Sequence, residues 1–257
     1  MLQITFYKKT INNSHNQFLQ IFIKYFSNKK AKFFIYLYIL VYQKIVLDVL
    51  FTRGNMDNKF VVLDKTVKIG KNVKIYPFNV ILGDSEIGDN STIYPYNFIN
   101  NCKIASDCEI SSSNLENSIV EKGCKIGPFA RLRPNSKIGE SCKIGNFVEV
   151  KNSQLSNGVK ASHLSYIGDA SVGKHTNIGC GAIFVNYNGK EKNKTIVGDN
   201  CFVGSNVNLI APLTVADYSY ICAGSTLTKD TQNDDFVIAR ARETIKHNRA
   251  STYLKKQ

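Results

Sequence analysis

The chain has no tryptophan and only five prolines in 257 residues, and residues 1–53 contain neither proline nor glycine. That first stretch offers no turn punctuation, which favours helix and excludes a Gly-rich phosphate-binding loop within it. Long apolar runs are missing too. The run FFIYLYILVY at 33–42 is ten residues, interrupted soon after by Lys44 and Asp48, whereas about twenty are needed to span a bilayer. No small-residue cleavage site of a secretory signal is evident. Cysteine pairs at zinc-finger spacing are absent, and the cysteine count of seven is odd, so neither a structural zinc site nor a closed disulfide framework is implied. An acidic balance is also lacking: the net charge is +13. Such a surface suits anionic partners such as nucleic acid, membrane or phosphorylated small molecules. The lysines are scattered rather than run together, so a solvated basic surface is the expectation and no nucleic-acid partner is implied. With 43% hydrophobic residues the chain can build a real core, and no tract is polar enough to be disordered.

What is present is a count in sixes. Ile126, Leu132, Ile138, Ile144 and Val150 stand six apart, and the count returns at Val197, Val203, Leu209, Val215, Ile221 and Leu227. Earlier, Ile69, Ile75, Ile81, Ile87, Ile93 and Ile99 keep six before Ile104 and Ile110 slip by a residue. A sustained period of six marks a parallel β-helix of hexapeptide repeats. Three hexads make one triangular coil, so residues eighteen apart stack on one face of neighbouring coils. Cys102, Cys108, Cys124, Cys142 and Cys201 each precede a hexad aliphatic by two residues. That slot faces inward, and these five read as small core residues in a reducing, cytoplasmic setting.

The chain divides into residues 1–55, 56–232 and 233–257. The first part reads as helix. It suits a packing helix that covers the first coil, where a solenoid exposes backbone and an apolar face. A membrane-associated segment at 33–51, or an upstream extension with Met56 as the working start, are the alternatives. The second part is the solenoid. The third abandons the hexad as a charged arm, extended at FVIAR and then a short helix. Within the solenoid, Ile178 to Val197 is nineteen residues, one more than a coil, with the extra chain in FVNYNGKEKNKT at 184–195. Loops on rigid scaffolds are where binding residues gather.

Small polar residues would satisfy the outer faces of a prism. Residues 131–189 instead display Arg131, Arg133, Glu149, Lys151, His163, Tyr166, His175, Asn177 and Tyr187. Arg133 and Lys151 are eighteen apart and stack, with Asp169 eighteen further on. Stacked cations are either plain surface charge or a seat for a phosphate-like anion. His163 is either structural or a general base near neutral pH. Four histidines at these spacings do not make a three-His metal site, which also disfavours a γ-class carbonic anhydrase. Glu149 is a candidate for orienting His163.

The string FARLRP…IGNFVEVK…SHLSYIGDA…NIGCG…NYNGK…KTIVGDNCFVGSNVNLIAP…AGST resembles the acetyltransferase domain of the bacterial bifunctional UDP-N-acetylglucosamine pyrophosphorylase/glucosamine-1-phosphate N-acetyltransferases. The likeness covers roughly residues 43–245 and is near-continuous from Gly127 to Thr228. The resemblance implies a left-handed parallel β-helix, although general crossover statistics favour the right hand. It implies a cytoplasmic homotrimer with active sites between subunits and acetyl-CoA as co-substrate, with no metal required. His163 would be the general base. Arg133, Lys151, Tyr166 and Asn177 would hold the sugar phosphate, with Lys192 reaching toward a neighbouring subunit's site. Cys180, Asn186, Tyr187, Ser205, Ala223 and Arg240 would take acetyl-CoA, Cys180 standing where the family has alanine. Uridylyltransferase activity is not expected, because no phosphate loop can be built from the 55 residues ahead of the prism, whose sole glycine is Gly54. A separate pyrophosphorylase would then be a partner. The alternatives are an acyltransferase for another anionic amino sugar and a non-catalytic β-helical subunit.

Overall fold

A computed structural model of the chain describes residues 60–254. The helical extension expected over 1–55 lies outside the described residues. The rest is all β: short parallel strands stack into three faces of ten, nine and ten strands. The first face runs from Val61–Leu63 to Thr226–Leu227, the second from Lys68–Ile69 to Leu213–Val215, and the third from Lys74–Ile75 to Phe236–Val237. This is the expected β-helix. The third face gains its last strand at Phe236–Val237, inside the arm where the hexad is lost, and the remaining arm ends in a 3-10 turn at Ala250–Thr252.

The period of six is the length of one face and one corner. From Ile81 onward the hexad aliphatics point inward, and Ile81, Ile99, Ile126, Leu132, Ile144, Val203 and Leu209 are all buried, whereas Ile69 in the first coil is exposed and Ile75 half-buried. The position two residues earlier is also inward, as Cys102, Cys108, Cys124, Cys142 and Cys201 confirm; all five are buried free thiols. Burial pushes the Cys102 thiol up to about 11, so it stays protonated and inert. In the early coils the same slot holds Asn79 and Asn97, which are buried and give their amide protons to the corner carbonyls of Tyr76 and Tyr94 at 2.6 and 2.5 Å.

Corners demand a residue with positive φ, which asparagine and aspartate tolerate better than most. Asn117, Asn135, Asn152 and Asp169 fill one such row between the first and second faces. The corner between the third and first faces breaks the rule. Phe78, Tyr96, Phe129, Phe147 and Leu164 adopt φ from 46° to 67° there, and Phe129 stacks on Phe147 with ring centroids 5.5 Å apart.

Coils are not uniform. Several are seventeen residues long, as where Lys151 stands level with Gly168 and not with Asp169. The late break is larger than the count of nineteen implies. Ile178 pairs with Val203, twenty-five residues on rather than eighteen, and Val197 sits on the second face, level with Val172. The additional chain is a hairpin-like excursion in which Tyr187 pairs antiparallel with Lys192.

Truncating a fully buried hexad residue should therefore be costly. Leu132→Ala should lose about 2–5 kcal/mol of unfolding free energy. Lys137→Ala, at an exposed site on the next face, should stay within about 0.5 kcal/mol. Urea midpoints of the two variants check this, and equal midpoints would contradict the inward assignment of the hexad position.

Candidate active site

Two rows of side chains run along the prism, one at the end of the first face and one on the corner before it, and the register fixes both. On the first face Leu132 is level with Val150 and Val150 with Ile167. The residue after each, Arg133, Lys151 and Gly168, therefore forms a column. Coils are about 4.8 Å apart, so Arg133 and Lys151 are neighbours, as expected from their spacing. Gly168 leaves room at the third level, and the Tyr166 ring fills it: a Cβ on Gly168 would collide with the Tyr166 hydroxyl. Two cations and a phenol thus line one column.

The second row lies on the third-to-first corner. Ile144, Ala161, Ile178, Val203 and Ile221 are level on successive coils. Two residues beyond each stand Asn146, His163, Cys180, Ser205 and Ala223. None of the backbone N–H groups of Cys180, Ser205 and Ala223 has a partner among the described residues. The row thus offers free donors one coil apart, suited to the carbonyls of an extended ligand. Arg240 closes the row by donating from Nη1 to the Ala223 carbonyl at 2.7 Å.

His163 ends the strand Lys160–His163 and is exposed. Its ring Nδ1 lies 2.7 Å from Asn146 Oδ1. Glu149, expected to orient it, is engaged elsewhere: it accepts from Arg133 Nη1 at 2.9 Å on the first face. The physical reason is register. A seventeen-residue coil sets Asn146, not Glu149, level with His163. Asn146 and Gly168 are the residues that sequence reasoning missed. Both follow from subtracting seventeen, or stepping two, from residues already singled out.

Asn177 lies on the third face, level with Lys160 and Phe202, apart from the first-face column. Lys192 returns to its own chain beside Lys151. The Lys151 ammonium, by hydrogen bond and by charge, lowers the Lys192 ammonium from its usual value, with Asp169 opposing. Asp169 anchors the excursion: it accepts from Asn186, which is buried, and from Asn152 at 2.5 Å. Asn186 also reaches the Tyr166 hydroxyl at 3.5 Å. Asp169, Lys192 and Lys194 help to line an open groove of about 440 Å³ on the second face. Tyr187 is exposed, its hydroxyl donating to the Gly189 carbonyl at 2.8 Å.

Burial pushes the Asp169 carboxyl up, but the hydrogen bonds from Asn152 and Asn186 and the charges of Lys151 and Lys192 outweigh it, and the net shift is below the ordinary 3.8. A carboxyl held low in the folded state stabilises above its unfolded value and loses that contribution as pH falls through its folded value. Hydrogen-exchange protection of residues 186–194 should therefore hold above roughly pH 5 and fall off below roughly pH 4. Asp169→Asn should abolish this acid step, and its survival would assign the step to another group.

Family models match two parts of the chain. The model of the GMPPB C-terminal domain matches residues 114–237, and that of the bacterial transferase hexapeptide (six repeats) matches residues 66–101. The bifunctional protein GlmU of Clostridium novyi is 47% identical over 205 residues, covering 77% of this chain and 45% of that protein. GlmU of Caldicellulosiruptor saccharolyticus is 50% identical over 179 residues, covering 70% and 39% respectively. Among solved structures, a Francisella novicida UDP-N-acetylglucosamine acyltransferase overlaps 68% of this chain and 63% of its own, at 17% identity and a TM-score of 0.43. The chain is thus a hexapeptide-repeat β-helix homologous to the bifunctional GlmU proteins, spanning less than half the length of the curated relatives it matches.

Proposed function

We propose that this chain transfers the acetyl group of acetyl-CoA to the 2-amino group of glucosamine 1-phosphate, giving N-acetylglucosamine 1-phosphate for UDP-N-acetylglucosamine synthesis. The observation that carries this reading is that the two rows flank one face, the corner row before the first face and the cation column at its end. A column of Arg133, Lys151 and the Tyr166 hydroxyl suits a sugar phosphate. The corner row of His163, Cys180, Ser205 and Ala223 suits an extended thioester donor. The overall identity of 47% and 50% to the two GlmU proteins supports the reading.

In this reading the acceptor amine must lose a proton before its lone pair can attack. His163, with one ring nitrogen committed to Asn146, takes that proton at the other. The amine nitrogen bonds to the thioester carbonyl carbon, the C–S bond breaks, and the CoA sulfur leaves with the electron pair and accepts a proton. The Cys180 N–H, without a partner among the described residues, serves as the donor to the developing oxyanion. This role uses the backbone, so a thiol in place of a methyl is tolerated. The Ser205 and Ala223 N–H groups and the Arg240 guanidinium hold the rest of acetyl-CoA, with Asn186 and Tyr187 on the other side. No step calls for a metal.

A homotrimer completes the site in this proposal. Asn177 lies on the third face, away from the first-face column, so a neighbouring copy is the natural way to bring it to the sugar. The exposed, positive-φ row of Phe129, Phe147 and Leu164 flanks His163, an apolar strip of the kind that subunit contacts cover. Lys192 follows Lys151 in its own chain here, and either copy's column can take its charge. The enzyme is expected in the cytoplasm.

Purified chain given glucosamine 1-phosphate and acetyl-CoA should form N-acetylglucosamine 1-phosphate, detected by mass spectrometry. His163→Ala should keep the fold and lose about 10²–10⁴-fold in turnover. Near-normal turnover would defeat the assignment, and product from a different amino sugar only would move the acceptor to the alternative reading.

A further inference from the structure

The third face is built mostly of two-residue strands, but Lys143–Asn146 and Lys160–His163 each run to four. Their pairing extends to the corner, where Asn146 stands level with His163. Two features make this extension tight. Gly145 has no side chain, and a Cβ there would collide with the Ser162 carbonyl. The Asn146 carbonyl also accepts from the Leu164 N–H at 2.9 Å. The two side chains are therefore carried on backbone locked by its own ladder. Asn146 is half-buried while His163 is exposed, so the amide is the better fixed of the two.

We propose that Asn146 is the positioning residue of His163: its Oδ1 accepts from Nδ1–H, selects that tautomer and turns the Nε2 lone pair outward toward the acceptor amine. This rests on the acetyl-transfer reading only for its catalytic consequence. An amide oxygen can only accept, so a contact of 2.7 Å requires the proton to sit on Nδ1. The charged groups on the surrounding elements leave the task to Asn146. Lys143 and Lys160 begin the same two strands, Glu149 is held by Arg133, and the next side chain down the corner is Cys180. In carboxylate–histidine pairs the orienting partner carries a charge; here a neutral amide fixes the tautomer without one.

The test uses the full chain and three readouts. Ring-nitrogen NMR of the unliganded protein should show His163 protonated at Nδ1; an Nε2–H majority would overturn the proposal. Asn146→Leu should lower kcat about 10–10²-fold while both KM values stay within about twofold. An unchanged kcat would overturn it. Asn146→Asp keeps the acceptor, so it should restore most of the turnover at high pH. By favouring the imidazolium it should also move the acid limb of kcat/KM to higher pH. An unmoved limb would overturn it, and this variant stands in should Asn146→Leu fail to fold. The NMR arm is independent of the reaction: wild-type protein that acetylates no amino sugar would sink the proposed function, while the ring-nitrogen result still decides the tautomer.

Discussion

The parallel register of the coils is the constraint on which everything else depends. A residue's neighbours across the ladder are set by chain length per coil, and the spacing by the hydrogen bonds between strands, about 4.8 Å. Sequence spacing becomes distance along a column. Few folds convert counting into geometry so directly, which is why cations eighteen apart become a pair and residues two past successive inward aliphatics become one corner row. The same register makes the surface unforgiving. Gly145 and Gly204 lie where a Cβ would strike the adjacent coil, and Gly168 where it would strike the Tyr166 ring of its own strand.

The core was legible residue by residue, because a period of six allows one inward aliphatic and one inward small side chain per face. The five cysteines placed by that offset are all buried. What the count could not supply was coil length. Seventeen-residue coils occur at Lys137–Gln154, Asn146–His163 and Lys151–Gly168, and no local residue type announces them. One missing residue puts Asn146 rather than Gly145 level with His163, while Glu149 stands level with Tyr166 on the first face. It also moved Asp169 out of the cation column and into the anchor of the excursion. The hand of the helix was likewise not readable from the residues, and rested on resemblance alone.

The excursion shows how an irregular stretch is held without a core of its own. Its polar sequence has no hexad aliphatic to bury between Phe184 and Val197, so its fixed points are hydrogen bonds. Asn188 Oδ1 accepts from the N–H groups of Lys190 and Glu191, both at 2.9 Å, and the Asn193 N–H donates to the Asn186 carbonyl at 2.7 Å. At its base the buried Asn186 meets Asp169. Lys151 and Lys192 then share the Asp169 carboxylate while Arg133 has Glu149, which leaves one positive charge in excess. Like charges gathered at a few coil spacings repel. Solvent screens that repulsion, and Lys192 in the excursion adds to the positive charge around Lys151.

The third-to-first corner carries the opposite tension. Bulky side chains in left-handed backbone cost on the order of 1–3 kcal/mol each, and asparagine or glycine would have been cheaper, as at Asn206 and Gly181 lower on the same corner. Phe129 and Phe147 offset part of that cost by stacking at 5.5 Å, a contact worth about 0.5–1.5 kcal/mol beyond area burial. Stacking therefore does not repay two strained residues within one chain. Each ring also leaves more than half of its surface in water. The remaining cost is offset by the continuous buried core of the coils, and the apolar row borders the Asn146–His163 pair. A surface that covered it would exclude water from one side of the imidazole and strengthen the hydrogen bond that orients it, so the strain stored at the corner and the chemistry beside it are parts of one arrangement.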